Sequence, residues 1–168
     1  MKASIELALR TREVYQLFER RISKNRLFIE AILHKFNVVM NRCKQRNPQA
    51  LAYYKQIEKN IVGFTQQFTN EITRFETLLT MKKDFAHTKV SYIPQFRPVI
   101  IATNPLSIKL IEFIEIYDKL MATLKLLQLA GCFESDEVFW GNTKRYQKIA
   151  NQMLSDLMLS SATIRLMD

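Results

Sequence analysis

Between residues 51 and 79 the apolar side chains Leu51, Tyr54, Ile57, Ile61, Phe64, Phe68, Ile72, Phe75 and Leu79 recur every three or four positions. That period puts all of them on one face of an α-helix over about residues 49–81. Such a helix spans roughly 50 Å, and its apolar face must be covered by other helices or another chain. The chain of 168 residues has only 3 glycines and 4 prolines, too few for the many turns of an all-β fold. Gly63, Gly131 and Gly141 lie far apart, so neither a GxGxxG turn nor a P-loop is present. The length predicts one domain that folds without a disulfide or metal.

Helical patterning continues on both sides of this segment. Thr11 is placed to cap a helix carrying Val14, Leu17, Phe18 and Ile22, and Ser23-Lys24-Asn25 reads as a turn. A second helix carries Phe28, Ile29, Ile32, Leu33, Phe36, Val39, Met40 and Cys43 on one side and ends at Asn47-Pro48. Asn104-Pro105 starts a fourth helix running to about Ala130, with Leu110, Ile114, Tyr117, Leu120, Met121, Leu124 and Leu127 inward. Gly131 closes it, and Ser135 caps a fifth helix carrying Val138, Tyr146, Ile149, Met153 and Leu157.

Residues 82–104 break the helical period. From Lys89 to Arg97 the period is two, with Val90, Tyr92 and Phe96 on one face and Pro94 between them. Lys89, Ser91, Gln95 and Arg97 fall on the other face, where Ile93 alone breaks the pattern. This describes a strand with an apolar back and a basic, hydrogen-bonding front. Pro94 and Pro98 confine it to a sheet edge or a two-stranded ribbon.

Charge narrows the function. The formal net charge is +9. Residues 1–50 contribute +7, residues 51–104 +3 and residues 105–168 −1. A basic excess in the first two thirds points to a polyanion, of which nucleic acid is the commonest. Catalytic chemistry has no counterpart: His34, His87, Cys43 and Cys132 are isolated, and no Ser, His and carboxylate set exists. Glu112, Glu115 and Asp118 lack the His and the second acidic pair of a bundle metal site, so they read as a solvated helix face. No cofactor, no metal and no enzymatic activity is expected. No apolar run reaches a membrane span and there is no signal-peptide pattern, so a cytoplasmic location with no membrane partner is expected.

Strand, helix, glycine turn and helix over residues 89–150 follow the order of ribbon-helix-helix DNA-binding proteins, in which two chains pair their strands and lay the ribbon in the major groove. Gln95 and Arg97 are residue types that pair with adenine and guanine edges. With Lys89 and Ser91 they are the candidate base contacts. Arg10, Arg12, Arg20, Arg21, Lys24 and Arg26 are candidate phosphate contacts, and Ser135 joins them at a helix N-terminus. Asp136 and Glu137 beside Ser135 oppose a phosphate there.

Three segments resemble the AcaB-like transcriptional regulators of conjugative plasmids and integrating conjugative elements. They are Leu9-Arg10-Thr11-Arg12 with Val14-Tyr15-Gln16-Leu17-Phe18 and Arg20; Asn47-Pro48 with Tyr53-Tyr54 and Ile57-Glu58; and Asn104-Pro105 with Tyr117-Asp118-Lys119-Leu120 and the Gly131 turn. The chain departs from that pattern at Leu106-Ser107-Ile108, which replace aromatic and glycine content. The resemblance implies a homodimeric bacterial regulator with an extended ribbon-helix-helix fold, bound to double-stranded DNA and activating conjugative transfer genes, together with other transcription proteins.

The expected fold is therefore mainly α: about five helices and one short strand that forms an intermolecular antiparallel ribbon. A basic helical extension, residues 1–82, precedes a strand-helix-turn-helix core, residues 83–168. The ribbon is placed at 89–101, with Ile5, Leu7 and Leu9 of an alternating stretch, residues 4–10, as a second placement. The competing function is a helical interaction or assembly protein of a conjugative element that binds an acidic partner.

Overall fold

The computed structural model describes residues 2–82 and 92–159. Among these, five helices surround one core: α1 (Arg12–Glu19), α2 (Phe28–Lys44), α3 (Pro48–Thr80), α4 (Pro105–Leu129) and α5 (Asp136–Leu159). Four short strands complete the fold: β1 (Ala3–Glu6), β2 (Arg21–Ser23), β3 (Arg26–Leu27) and β4 (Val99–Ala102). β1 pairs antiparallel with β4, and β2 with β3. No described helix is long and apolar enough to cross a membrane.

Helix α4 is the centre of the molecule. Its buried residues, including Leu110, Ile111, Phe113, Ile114, Tyr117, Leu120, Met121 and Leu124, cover its circumference except for one stripe, Ile108, Glu112, Glu115 and Lys119, that faces out, as expected of a helix largely enclosed by others. The long α3 covers one side with Ile57, Ile61, Phe68, Ile72 and Phe75, while Leu51 at its start is exposed. Phe68 lies 5.4, 5.9 and 5.8 Å, ring centre to ring centre, from Phe113, Tyr117 and Tyr146, so α3, α4 and α5 meet at one aromatic node. Tyr146 donates its hydroxyl to Glu71, 2.9 Å away, which satisfies the polar end of a buried ring. Residues from both 1–82 and 92–159 contribute to this core.

The helix ends follow local chemistry. The Asn47 side chain accepts from the Gln49 and Ala50 N–H groups, and Asn104 accepts from Ser107, with proline at the first helical position in each case. Gly131 closes α4 at φ 71°; its N–H donates to Gln128 and the Cys132 N–H to Leu127. The same motif ends α2, where Arg46 takes the left-handed position at φ 59°. Its N–H donates to Cys43 and that of Asn47 to Arg42.

Three local expectations are corrected. α1 stops at Glu19, and residues 21–27 turn back as the β2–β3 hairpin through Lys24-Asn25. The Phe28 N–H closes its base on the Arg20 carbonyl at 2.9 Å. Ile22, expected on the helix face, lies beyond the end of α1 and is exposed on this hairpin. On α5 the inward residue is Phe139, while Val138 and Trp140 face out.

The third correction concerns the ribbon. The two alternative strand placements pair with each other inside one chain. Ile5 lies opposite Ile100 and Glu6 opposite Val99, and the register continues to a bridge between Leu9 and Phe96. Leu7 donates to the Pro98 carbonyl at 2.9 Å. The return bond cannot form because proline has no N–H, which is why the regular strand stops at Val99. Both strands bury one face, with Leu7, Leu9, Ile100 and Ala102 in the core. A strand already paired within its own chain needs no second chain to satisfy its backbone, so the intermolecular pairing expected for 89–101 is not a geometric requirement.

Arg46 holds a backbone conformation costing a non-glycine residue about 1–2 kcal/mol. Arg46→Gly is expected to raise stability by about 1 kcal/mol, read as a higher urea midpoint at unchanged slope.

Candidate nucleic-acid interface

The outward face of the β1–β4 ribbon is the first candidate surface. Side chains alternate as the sequence predicted: Tyr92, Pro94, Phe96 and Pro98 lean inward, while Ile93, Gln95 and Arg97 face solvent. Tyr15 of α1 stacks on Phe96 with ring centres 4.6 Å apart, fixing the ribbon to α1. Arg97 is 58% exposed and lies 3.4 Å from the Glu6 carboxylate across the ribbon. An ion pair this exposed contributes at most about 1 kcal/mol, so it orients the guanidinium without committing it. The face is less polar than expected, since Val99 and Ile101, 55% and 54% exposed, continue it beyond Ile93. Lys89 and Ser91 lie outside the described residues.

The β2–β3 hairpin is the second surface, and it gathers four of the six candidate phosphate contacts. Arg21, Lys24 and Arg26 are exposed on it, and Arg20 stands at its base with its guanidinium 4.1 Å above the Phe28 ring. Arg21 donates to the Lys24 carbonyl across the turn, 3.0 Å. Arg12 is exposed at the opposite end of α1.

Arg10 is placed differently from the other arginines. It belongs to a cluster around Asp118, whose side chain in the middle of α4 is 2% exposed. The Asp118 carboxylate accepts from the Arg10 N–H at 3.1 Å, the Arg10 Nε at 3.2 Å, the Thr11 N–H at 3.0 Å and the Thr11 hydroxyl at 2.8 Å. Thr11 thus flanks α1 without giving it a side-chain cap, its hydroxyl being turned to Asp118. Glu112 and Glu115 are exposed as expected, but Asp118 is an internal anchor. Its partners come from an extended segment with spare N–H groups, which is why it is tolerated in the core. A second link, Lys125 Nζ to Glu13 at 2.8 Å, ties α1 to α4 about two turns further along α4. Tyr117, beside Asp118 in sequence, has its phenol pushed up by burial and then by the Glu13 charge.

At the start of α5 the Ser135 hydroxyl accepts from the Val138 N–H at 3.3 Å. Glu134, Asp136 and Glu137 are exposed around it, and Asp136 bonds the Gln128 amide. Lys35 is the other internal charge; burial lowers its pKa to about 8, and it donates to the Leu157 and Met158 carbonyls near the end of α5. Among the described residues no three His, Cys, Asp or Glu side chains are grouped to hold a metal ion. Sequence reasoning missed Asp118 as an anchor and Glu6 as the partner of Arg97. The signal for Asp118 was present, since it and Arg10-Thr11 occupy two of the three segments that carried the family resemblance.

No family model matches the chain, and no curated protein sequence matches it. Among solved structures the fold is similar to that of selenomethionine-containing AcaB from uropathogenic E. coli. The TM-score is 0.57 at 15% identity, over 94% of this chain and 75% of that one. At this identity the likeness is one of fold.

Replacing Asp118 by Ala leaves the buried N–H and hydroxyl of Thr11 unsatisfied. The expected cost is about 3–5 kcal/mol, read from denaturant unfolding. Arg10→Ala is expected to cost much less, because its backbone N–H still reaches Asp118.

Proposed function

We propose that the protein is a DNA-binding transcription regulator. The observation that carries this reading is the ribbon face, where Gln95 and Arg97 project from a surface whose underside is locked to α1 and the core. A strand pair fits the major groove, and glutamine and arginine on it match adenine and guanine edges. The basic hairpin adds Arg20, Arg21, Lys24 and Arg26 as backbone contacts, with Arg12 at the other end of α1. The fold likeness to AcaB supports the same reading, and the family resemblance extends it to activation of conjugative transfer genes.

The homodimer follows in altered form. Since residues 96, 98 and 100 direct their backbone groups to the first strand, residues 97, 99 and 101 direct theirs to the free edge. A second copy adding its own strand there would give a four-stranded sheet with two read faces side by side. The competing reading, an assembly protein with an acidic partner, is supported by the exposed Val99 and Ile101 on that same strand.

Gel shifts of fragmented plasmid DNA at two salt concentrations separate the two. The expected result is preferential retention of one fragment, weakening as salt rises. On that fragment Arg97→Ala is expected to cost about 1–3 kcal/mol and relax sequence preference, while Lys24→Ala weakens all sequences alike and lowers the salt slope by about one. A folded sample showing no salt-sensitive DNA binding leaves the assembly reading standing.

A further inference from the structure

An open groove of about 680 Å³ runs between α1 and α5, lined by Glu13, Gln16, Leu17 and Arg20 on one side and by residues 144–155 of α5 on the other. Lys144, Gln147, Lys148, Asn151, Gln152 and Ser155 face it at helical spacing, a wholly polar stripe. Three cations stand on its walls: Arg20, Lys144 and Lys148. Among the described residues none of the three is engaged by a carboxylate. The single acid lining the groove, Glu13, is neutralised by Lys125 at 2.8 Å. A concave wall with three uncompensated positive charges concentrates field on whatever lies in it. The groove is also continuous with the basic hairpin, because Arg20 lines the one and begins the other.

We infer that this groove binds the sugar–phosphate backbone of the DNA, as a second contact beyond the ribbon, and so deepens the regulator reading on which it rests. Lys144 and Lys148 stand one helical turn apart, about 5–6 Å between their Cβ atoms, and offer point charges to neighbouring phosphates along a strand. Gln147, Asn151 and Gln152 add neutral donors for phosphate and sugar oxygens. Contacts to phosphate and sugar carry no sequence information directly, so the contribution of the groove is affinity and orientation. It also accounts for uncompensated lysines in the third of the chain that is otherwise close to neutral.

The test is DNA binding by the full chain and by the double variant Lys144→Gln/Lys148→Gln, which alters two exposed side chains, measured across a range of salt concentrations. The expected result is a salt slope lower by about two, with fragment preference unchanged. Lys109→Gln, a lysine outside the groove that pairs with Glu112 at 3.4 Å, is expected to leave the slope as it was. If the wild-type chain shows salt-sensitive DNA binding and the double variant matches its slope, the groove proposal is overturned while the regulator reading survives. If the wild-type chain binds no DNA, both fall. Inorganic tripolyphosphate is the second arm: stabilisation of the wild-type chain but not of the variant, with an unchanged DNA slope, assigns the groove to small phosphates and overturns the backbone contact.

Discussion

The carboxylate of Asp118 organises the ribbon and the first helix. It lies inside the central helix and takes its hydrogen bonds from Arg10 and Thr11, the two residues that join the first strand to α1. One buried group therefore sets where the ribbon ends, where α1 begins and how α1 lies on α4. The Glu13–Lys125 pair repeats the link further along α1 and prevents the short helix from pivoting about a single point. Eight residues of isolated helix would not hold together in water, so α1 owes its existence to these two polar ties and to Val14 and Leu17.

The ribbon illustrates how far alternation in sequence determines a strand's fate. A period of two names the buried face, and that face was legible from Tyr92 to Arg97. It does not name the partner. The stretch around Ile5, Leu7 and Leu9 alternates in the same way and lies on the same chain, so pairing within the chain costs no association entropy, whereas pairing between chains does. The two readings that competed for the ribbon are two halves of one sheet. What this leaves for a second copy is an edge, with Val99 and Ile101 exposed beside Arg97.

Much of the helical frame was readable. The caps at Asn104 and Ser135, the boundary at Asn47-Pro48, the glycine at 131 and the long apolar face of α3 each rest on a local rule and survive into the structure, whereas the cap expected of Thr11 is lost to Asp118. The losses occur where a tertiary contact decides. Asp118 reads as a solvated acid in sequence because it shares a stretch of helix with Glu112 and Glu115 and no His accompanies them, and only the fold brings Arg10 to it. Ile22 fits a helical period, yet the helix ends before it because Lys24-Asn25 turns the chain back. Phe139 and Val138 differ by one position, a phase that a weak apolar stripe cannot resolve. The phosphate contacts were named by charge alone, so the hairpin cations emerged together while Lys144 and Lys148 did not.

Charge placement acquires a geometric logic from this frame. α1 carries the ribbon at one end and the basic hairpin at the other, and eight residues separate the two by roughly 12 Å. Arg20 at its C-terminal end belongs at once to the base of the hairpin and to the groove against α5, so it links the hairpin cations to Lys144 and Lys148. The two cations that tie the first segment of the chain to α4 are each matched by an acid: Arg10 with Asp118, Lys125 with Glu13. Arg20, Arg21, Lys24, Arg26, Lys144 and Lys148 have no such acid among the described residues. A folded chain lowers its self-repulsion by spreading or pairing its charges, and unmatched cations gathered on a hairpin and on a groove wall are held at a cost that a polyanion would relieve. The same anchor that builds the fold thus sets the spacing between the face suited to bases and the cations suited to phosphates.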